Sequence, residues 1–179
     1  ARSVSSNDNT VLNGNMLALT SGDRNVAISG SINDVSSGRD NIAISGEISG
    51  VTTGYENVAI NSSLTDVDGG AYNNVAINSD MPSLDKSYYN VGINSDLSNL
   101  TTGVVNTAIN ARLPDLTSGT YNIAVGLRVL SSLTSGSANI ALGGRNLDQI
   151  TTGSNNIAMG IWALNNLSGA SNDNLSLGQ

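Results

Sequence analysis

The chain has 179 residues, no Cys, no His, and a formal net charge of −7. These absences exclude disulfides, thiolate metal sites and a Ser-His-Asp triad, and the acidic balance disfavours a nucleic-acid partner, which needs a basic surface. Apolar content is 39%, with no Phe and one Trp, so Val, Ile, Leu and Ala must build a thin aliphatic core.

No apolar run approaches the ~20 residues that span a bilayer, and no secretory signal is present. The charge is unevenly spread. Residues 1–100 carry eleven acids against four bases, a net of −7, and residues 101–179 carry three against three, a net of zero. The chain starts with Ala, not Met, and both ends fall inside partial repeats, which reads as a segment of a longer or processed polypeptide.

In chain order one element recurs. A degenerate copy at Asn9 is followed by Asn-(Val/Ile/Thr)-Ala-(Ile/Val/Leu/Met) or close variants at Asn25, Asn41, Asn57, Asn74, Asn90, Asn106, Asn122, Asn139 and Asn156, and by a degenerate copy at Asn174. The interval is sixteen residues up to Asn122, seventeen between Asn57 and Asn74, and seventeen then eighteen toward the C-terminus. Such a period decides architecture before any single residue does.

Each copy alternates larger aliphatics with small residues, as in Val26-Ala27-Ile28 or Val75-Ala76-Ile77. Period two over four or five residues predicts a strand with two different faces. The expectation is that the aliphatic face is buried. The strip of Ala27, Ala43, Ala59, Ala76, Gly92, Ala108, Ala124, Ala141 and Ala158 would then face a closely packed second subunit.

A second apolar pair follows each strand: Ile32/Val35, Ile48/Val51, Leu64/Val67, Met81/Leu84, Leu97/Leu100, Leu113/Leu116, Leu130/Leu133, Leu147/Ile150 and Leu164/Leu167. A spacing of three predicts a bend between its members, and the intervening Ser, Asn, Asp and Pro disfavour the competing single helical turn. A Thr-Thr-Gly or Thr-Ser-Gly turn closes most copies, with Gly38, Gly54, Gly103, Gly119, Gly136 and Gly153 three residues before the next Asn, where Gly is expected to supply positive φ. Pro82 and Pro114 fall in the variable leg, where a missing ladder donor is tolerated.

Strand, bend, second leg and turn, repeated in parallel, describe rungs of a β-solenoid that stack on their neighbours. The fold expected is all-β: a parallel β-roll or β-helix of about 16-residue rungs forming one repeat domain over residues 1–179. At ~4.8 Å per rung it makes a rod of roughly 50 Å, and the recurring Asn forms a scaffold ladder of amides from rung to rung.

Position-matched residues give two candidate strips. Tyr55, Tyr72 and Tyr88 lie two residues before the central Asn, with Tyr89 alongside, and stack into an outer aromatic column. Flanked by Glu56, Asn73 and Asp80, such rings suit sugars, or they serve only to pack the turn. Six residues after each central Asn stand Glu47, Ser63, Asp80, Asp96, Arg112, Arg128, Arg145 and Trp162, an acidic ridge turning basic. Arg112, Arg128 and Arg145 either meet carboxylates of an adjacent subunit, stand solvated, or bind an anionic glycan such as lipopolysaccharide. Trp162 is either a contact residue or a cap over the last rungs.

Other chemistry is sparse. Asp66-Val-Asp68-Gly-Gly coincides with an extra residue and offers a turn for Ca²⁺ or a simple bulge, without the further carboxylates of a full calcium loop. No metal site and no cofactor is expected. Asp80 and Asp96, one rung apart, come near the spacing of a glycosidase pair, but thin solenoid walls provide no deep cleft, and no enzyme is expected. Sequons at Asn61, Asn99, Asn166 and Asn174 follow from composition alone.

The stretch TYNIAVGLRVLSSLTSGSANIALGGRNLDQITTGSNNIAMGIWALNNLSG resembles the repeats of bacteriophage tail fibre and tailspike proteins, whose Asn-x-Ala-x-Gly units often precede a self-cleaving chaperone domain. It is also similar to the head repeats of trimeric autotransporter adhesins. The resemblance implies a parallel β-roll assembled as a homotrimer that contacts a cell surface. Gly126, Gly143, Gly160 and Gly178 match the motif, whereas Ser29, Ser45, Asn61, Asn78, Asn94 and Asn110 replace its Gly. The resulting expectation is an adhesive segment of a trimeric fibre on a virion tail or cell surface, contacting a host polysaccharide or lipopolysaccharide without membrane insertion. The alternatives are a shaft with no ligand and a polysaccharide depolymerase.

Overall fold

The computed structural model describes residues 8–13, 15–17, 21–29, 31–33, 36–45, 47–49, 53–64 and 70–178. The Asn-x-Ala-x strands pair in parallel, each with the strand one copy later, into a single eleven-stranded sheet. Register follows the repeat: Val58 pairs Val75, Ala59 pairs Ala76, and Ile60 pairs Ile77. Among the described residues there is no helix, and the chain is a parallel β-solenoid. A second parallel sheet joins Asn15–Leu17, Ser31–Asn33, Glu47–Ser49, Ser63–Leu64 and Asp80–Met81, and Gln149–Ile150 pairs Ser168–Gly169 further along.

Two left-handed corners explain why most strands are only three residues long. Val75–Ile77 lies between Asn73 at φ 56° and Asn78 at φ 49°, and Thr107–Ile109 lies between Val105 at φ 56° and Asn110 at φ 51°. Positive φ turns the chain out of the β region and ends the pleat. In the last copies the second corner becomes Gly126, Gly143 and Gly160, at φ 119°, 126° and 123°. The strand there runs on to five residues, in Ile123–Leu127, Ile140–Gly144 and Ile157–Ile161.

The faces of these strands are reversed from expectation. Ala27, Ala43, Ala59, Ala76, Ala108, Ala124, Ala141 and Ala158 are fully buried, whereas the flanking Val and Ile, as in Val75–Ile77, are only half-buried and point outward. The second legs explain this. Leu64, Met81, Leu84, Leu97, Leu100, Leu113, Leu116, Leu130, Leu133, Leu147 and Ile150 are fully buried or within 1% of it and already fill the narrow coil, so only small residues fit opposite them. At Gly92 a methyl group would lie 2.6 Å from Met81 Cε and 3.0 Å from Leu97 Cδ1. The Ala strip is thus the inner wall of the core, not a subunit contact.

The bend within the apolar pairs is as expected. Leu100 N–H donates to Leu97 C=O at 3.1 Å, and Leu133 N–H to Leu130 C=O at 3.1 Å. Val35, Val51 and Val67 lie outside the described residues.

The turn glycines act differently from expectation. Gly103, Gly119, Gly136 and Gly153 are not at positive φ. They are small because the next rung comes close: a Cβ on Gly136 would sit 2.1 Å from Gly153 O, and one on Gly153 would sit 2.1 Å from Ser171 O. Positive φ is carried instead by the residue just before each central Asn, including Arg24, Asp40, Glu56, Tyr89, Val105 and Ala138.

The central Asn residues form the ladder. Asn106 donates from both its backbone N–H and its side-chain amide to Asn90 Oδ1, each at 3.0 Å, and its amide also donates to Gly119 C=O at 2.6 Å. The same double donation links Asn25 to Asn9, Asn74 to Asn57, Asn139 to Asn122, and Asn174 to Asn156. Among the described residues every buried side-chain nitrogen and oxygen has a partner. Burying an amide is tolerable because each is satisfied this way.

Candidate functional site

The residues two before each central Asn stand in register, with Arg39, Tyr55, Tyr72, Tyr88, Val104 and Thr120 bridged successively in parallel. Tyr55, Tyr72 and Tyr88 therefore stack face to face, with ring centroids 4.8 Å apart and planes within 2°. The Arg39 guanidinium covers the outer face of Tyr55, 5.4 Å from its centroid, and Tyr89 packs edge-on against Tyr72 and Tyr88. Both faces of the Tyr72 ring are thus taken up, by Tyr55 on one side and Tyr88 on the other. Tyr121, exposed near the next rungs, is not in the stack.

Burial within the stack, followed by the neighbouring Tyr55, Tyr89 and Tyr88, pushes the Tyr72 phenol above its ordinary value of 10.0. A raised pKa means that the folded state favours the neutral phenol. The stability this contributes is present below the unfolded pKa and is lost as pH rises through the folded one. In an alkaline absorbance titration Tyr72 is expected to ionise later than an ordinary phenol, and Tyr72→Phe is expected to remove that late component. A single titration step near pH 10, unchanged by Tyr72→Phe, would contradict this.

The second strip is continuous as well. Glu47 pairs Ser63, Ser63 pairs Asp80, Asp80 bridges Asp96, and Asp96 bridges Arg112. Arg112 Nη2 reaches Asp96 Oδ2 at 3.4 Å, a loose pair with the Arg side chain 71% exposed, so it adds little stability. Asp40 is held tighter: Arg24 grips it through two nitrogens at 2.7 and 2.6 Å, which draws the Asp40 carboxyl below its ordinary value.

Beyond Arg112 the backbone of this strip changes. Arg128, Arg145 and Trp162 take φ of 57°, 55° and 67°, each two residues after a corner Gly. Arg145 lies over the Trp162 indole, 4.6 Å from its centroid, a cation–π contact. Arg112 and Arg128 line a shallow recess of about 360 Å³ with Pro114 and Ser131. The indole forms one wall of another of about 630 Å³, with Leu164, Asn165, Asn166 and Leu167. Periodicity placed these residues in a strip; the recesses, which also involve Asn165, Asn166 and Ser131, carry no signal in composition or spacing.

Asp66 and Asp68 lie outside the described residues. Among the described residues no three potential ligands come together to hold a metal ion. Comparison of the chain with protein-family models, with curated proteins and with solved structures finds no match in any of the three.

Proposed function

We propose that this chain is a rigid, non-catalytic segment of a homotrimeric fibre, of the kind borne by virion tails or cell surfaces, which holds shallow groups on its outer legs against a host surface glycan. The observation that carries it is the outward row of Val and Ile on the eleven-stranded sheet. Eleven strands at ~4.8 Å make a face about 50 Å long, and two side-chain columns give it about 500–600 Å². That is at the upper limit of the largest apolar patch on an ordinary monomer and approaches the roughly 800 Å² per partner of a stable interface.

Toward the C-terminus the face gains a further position at Leu127 and Ile161, 69% and 63% exposed, and its two columns end on Leu175 and Leu177, 66% and 71% exposed. A second copy with the same aliphatic columns matches this chemistry, and the resemblance to trimeric fibre repeats supports three chains around one axis. Three copies of a weak glycan site gain avidity from their fixed spacing.

Light scattering on the native protein is expected to give three times the 18.2 kDa chain mass. The double variant Ile77→Lys and Ile93→Lys, charged at the middle of the face, is expected to fall to one chain mass while keeping its β-sheet circular dichroism. A native mass of one chain at micromolar concentration overturns the assembly, and a mass of two retains the seam but overturns the three-fold arrangement.

The self-packed Tyr stack favours a second reading, a shaft that binds nothing through this column. A shaft keeps its surface attachment in Tyr72→Ala and Tyr88→Ala.

A further inference from the structure

We infer that the basic ridge from Arg112 to Trp162 is a binding site for an acidic polysaccharide, one built of uronic acid units, lying parallel to the rod. This rests on the glycan-contacting part of the function proposed above and is independent of the number of chains.

Four observations converge on this strip. First, it gathers Arg112, Arg128 and Arg145 on three consecutive rungs of a chain whose net charge is −7. Second, Arg128 makes no ion pair among the described residues, and Arg112 has only the loose contact with Asp96. Third, the corner changes one rung after Arg112, the first of these cations. Gly126, Gly143 and Gly160 replace the Ser and Asn of earlier rungs, and two residues later Arg128, Arg145 and Trp162 stand in the left-handed region, which non-Gly residues seldom enter. Fourth, each end of the strip opens on a recess. One is walled by two guanidinium groups and the Ser131 hydroxyl, the other by the Trp162 indole and two Asn amides.

These are the groups an acidic sugar chain requires. Guanidinium groups pair with carboxylates through two parallel hydrogen bonds. An indole face receives the apolar C–H side of a pyranose ring, while amides and hydroxyls meet its oxygens. Arg145 occupies one face of the indole, and Trp162 lines its recess together with Asn165 and Asn166. Asp148, the carboxylate between the two recesses, has a donor when the Asn165 amide is assigned with its nitrogen toward it: that nitrogen then donates to Asp148 Oδ1 at 2.6 Å and to Arg145 C=O at 2.9 Å. From Arg112 to Trp162 the strip crosses three rung steps, roughly 15 Å, which suits a few sugar units lying along the axis.

Trp162 is the only Trp, so its fluorescence reports on this site alone. Titration of the native protein with oligomers of polyuronate is expected to change that fluorescence saturably, and the affinity to fall as salt is raised. A neutral glucan of the same length is expected to bind at least about tenfold more weakly. Arg128→Asn, chosen because Asn tolerates positive φ, is expected to lose about tenfold in affinity at unchanged melting temperature, the scale of one charge-assisted hydrogen bond.

No saturable response to polyuronate at millimolar concentration overturns the proposal, as does equal binding of the neutral glucan or full affinity in Arg128→Asn. An equal response to single-stranded DNA overturns the sugar assignment. Loss of native mass in Arg128→Asn without any polyuronate binding by the wild type assigns the arginines to a subunit contact instead. Absence of binding by a protein of three chain masses removes this site and leaves the fibre standing.

Discussion

Asn90→Ala is expected to lower the melting temperature by roughly 10–20 °C, measured at matched protein concentration. Asn90 sits in the middle of the rod and is fully buried, so the damage cannot be relieved by fraying of an end. Its Oδ1 accepts from the backbone N–H and the side-chain amide of Asn106, both at 3.0 Å, and its own amide donates to Gly103 C=O at 2.7 Å. Truncation leaves the Asn106 N–H, one Asn106 amide hydrogen and the Gly103 carbonyl without partners in a coil too narrow to admit water easily. At about 1–3 kcal/mol for each of these three orphaned buried groups, the loss is about 3–9 kcal/mol.

Asn90→Asp tests whether shape or hydrogen bonding carries the effect. The carboxylate keeps the size but cannot donate, and burial raises its pKa, so the protonated form is favoured in the folded state. Stability lost at pH 7 should therefore return in part as pH falls through the raised folded pKa toward the unfolded one. Equal melting temperatures for Asn90→Ala and the wild type would mean that the ladder is decorative.

The same substitution in two adjacent columns should have opposite weight. Gly143→Ala is expected to cost about 3–5 kcal/mol, since φ of 126° is a glycine conformation and a Cβ would stand 2.0 Å from Gly160 O, a backbone atom fixed by the next rung. Gly92→Ala, in the inner Ala column, is expected to stay within about 1 kcal/mol of wild type. Its φ is not positive, and the nearest atoms to a new methyl are the flexible ends of Met81 and Leu97. Chemical denaturation of both variants decides it, and comparable losses in the two would sink the distinction between corner and wall.

Much of this architecture was legible from period alone. Register, the Asn ladder, the buried second-leg pairs and the order of the Tyr column all follow from aligning copies, because a parallel solenoid places equivalent residues one above another. Which face of Val75-Ala76-Ile77 points inward was not legible. Alternation shows that a strand has two faces, and the rule that bulk goes inside fails when Met81, Leu84 and their counterparts already fill the coil.

The left-handed corners were hidden for a similar reason. Val105, Tyr89 and Ala138 have no intrinsic preference for positive φ, and stacking imposes it on them. At the candidate site the sequence placed Arg145 and Trp162 in one strip, but their contact and the two recesses depend on how the Gly corners aim the side chains.

The Asn ladder also gives the rod a direction. In every rung the Asn carbonyl points toward the following copy and accepts from it, so these amide dipoles add along the axis instead of alternating as backbone groups do between strands. Of the ladder bonds, the C-terminal end of such a stack presents the Asn side-chain carbonyl, and the N-terminal end presents the Asn backbone N–H and one amide hydrogen. Two pieces of this solenoid can therefore be spliced only head to tail: a segment grafted after Asn174 must begin with groups that donate, and one placed before Asn9 must end with groups that accept.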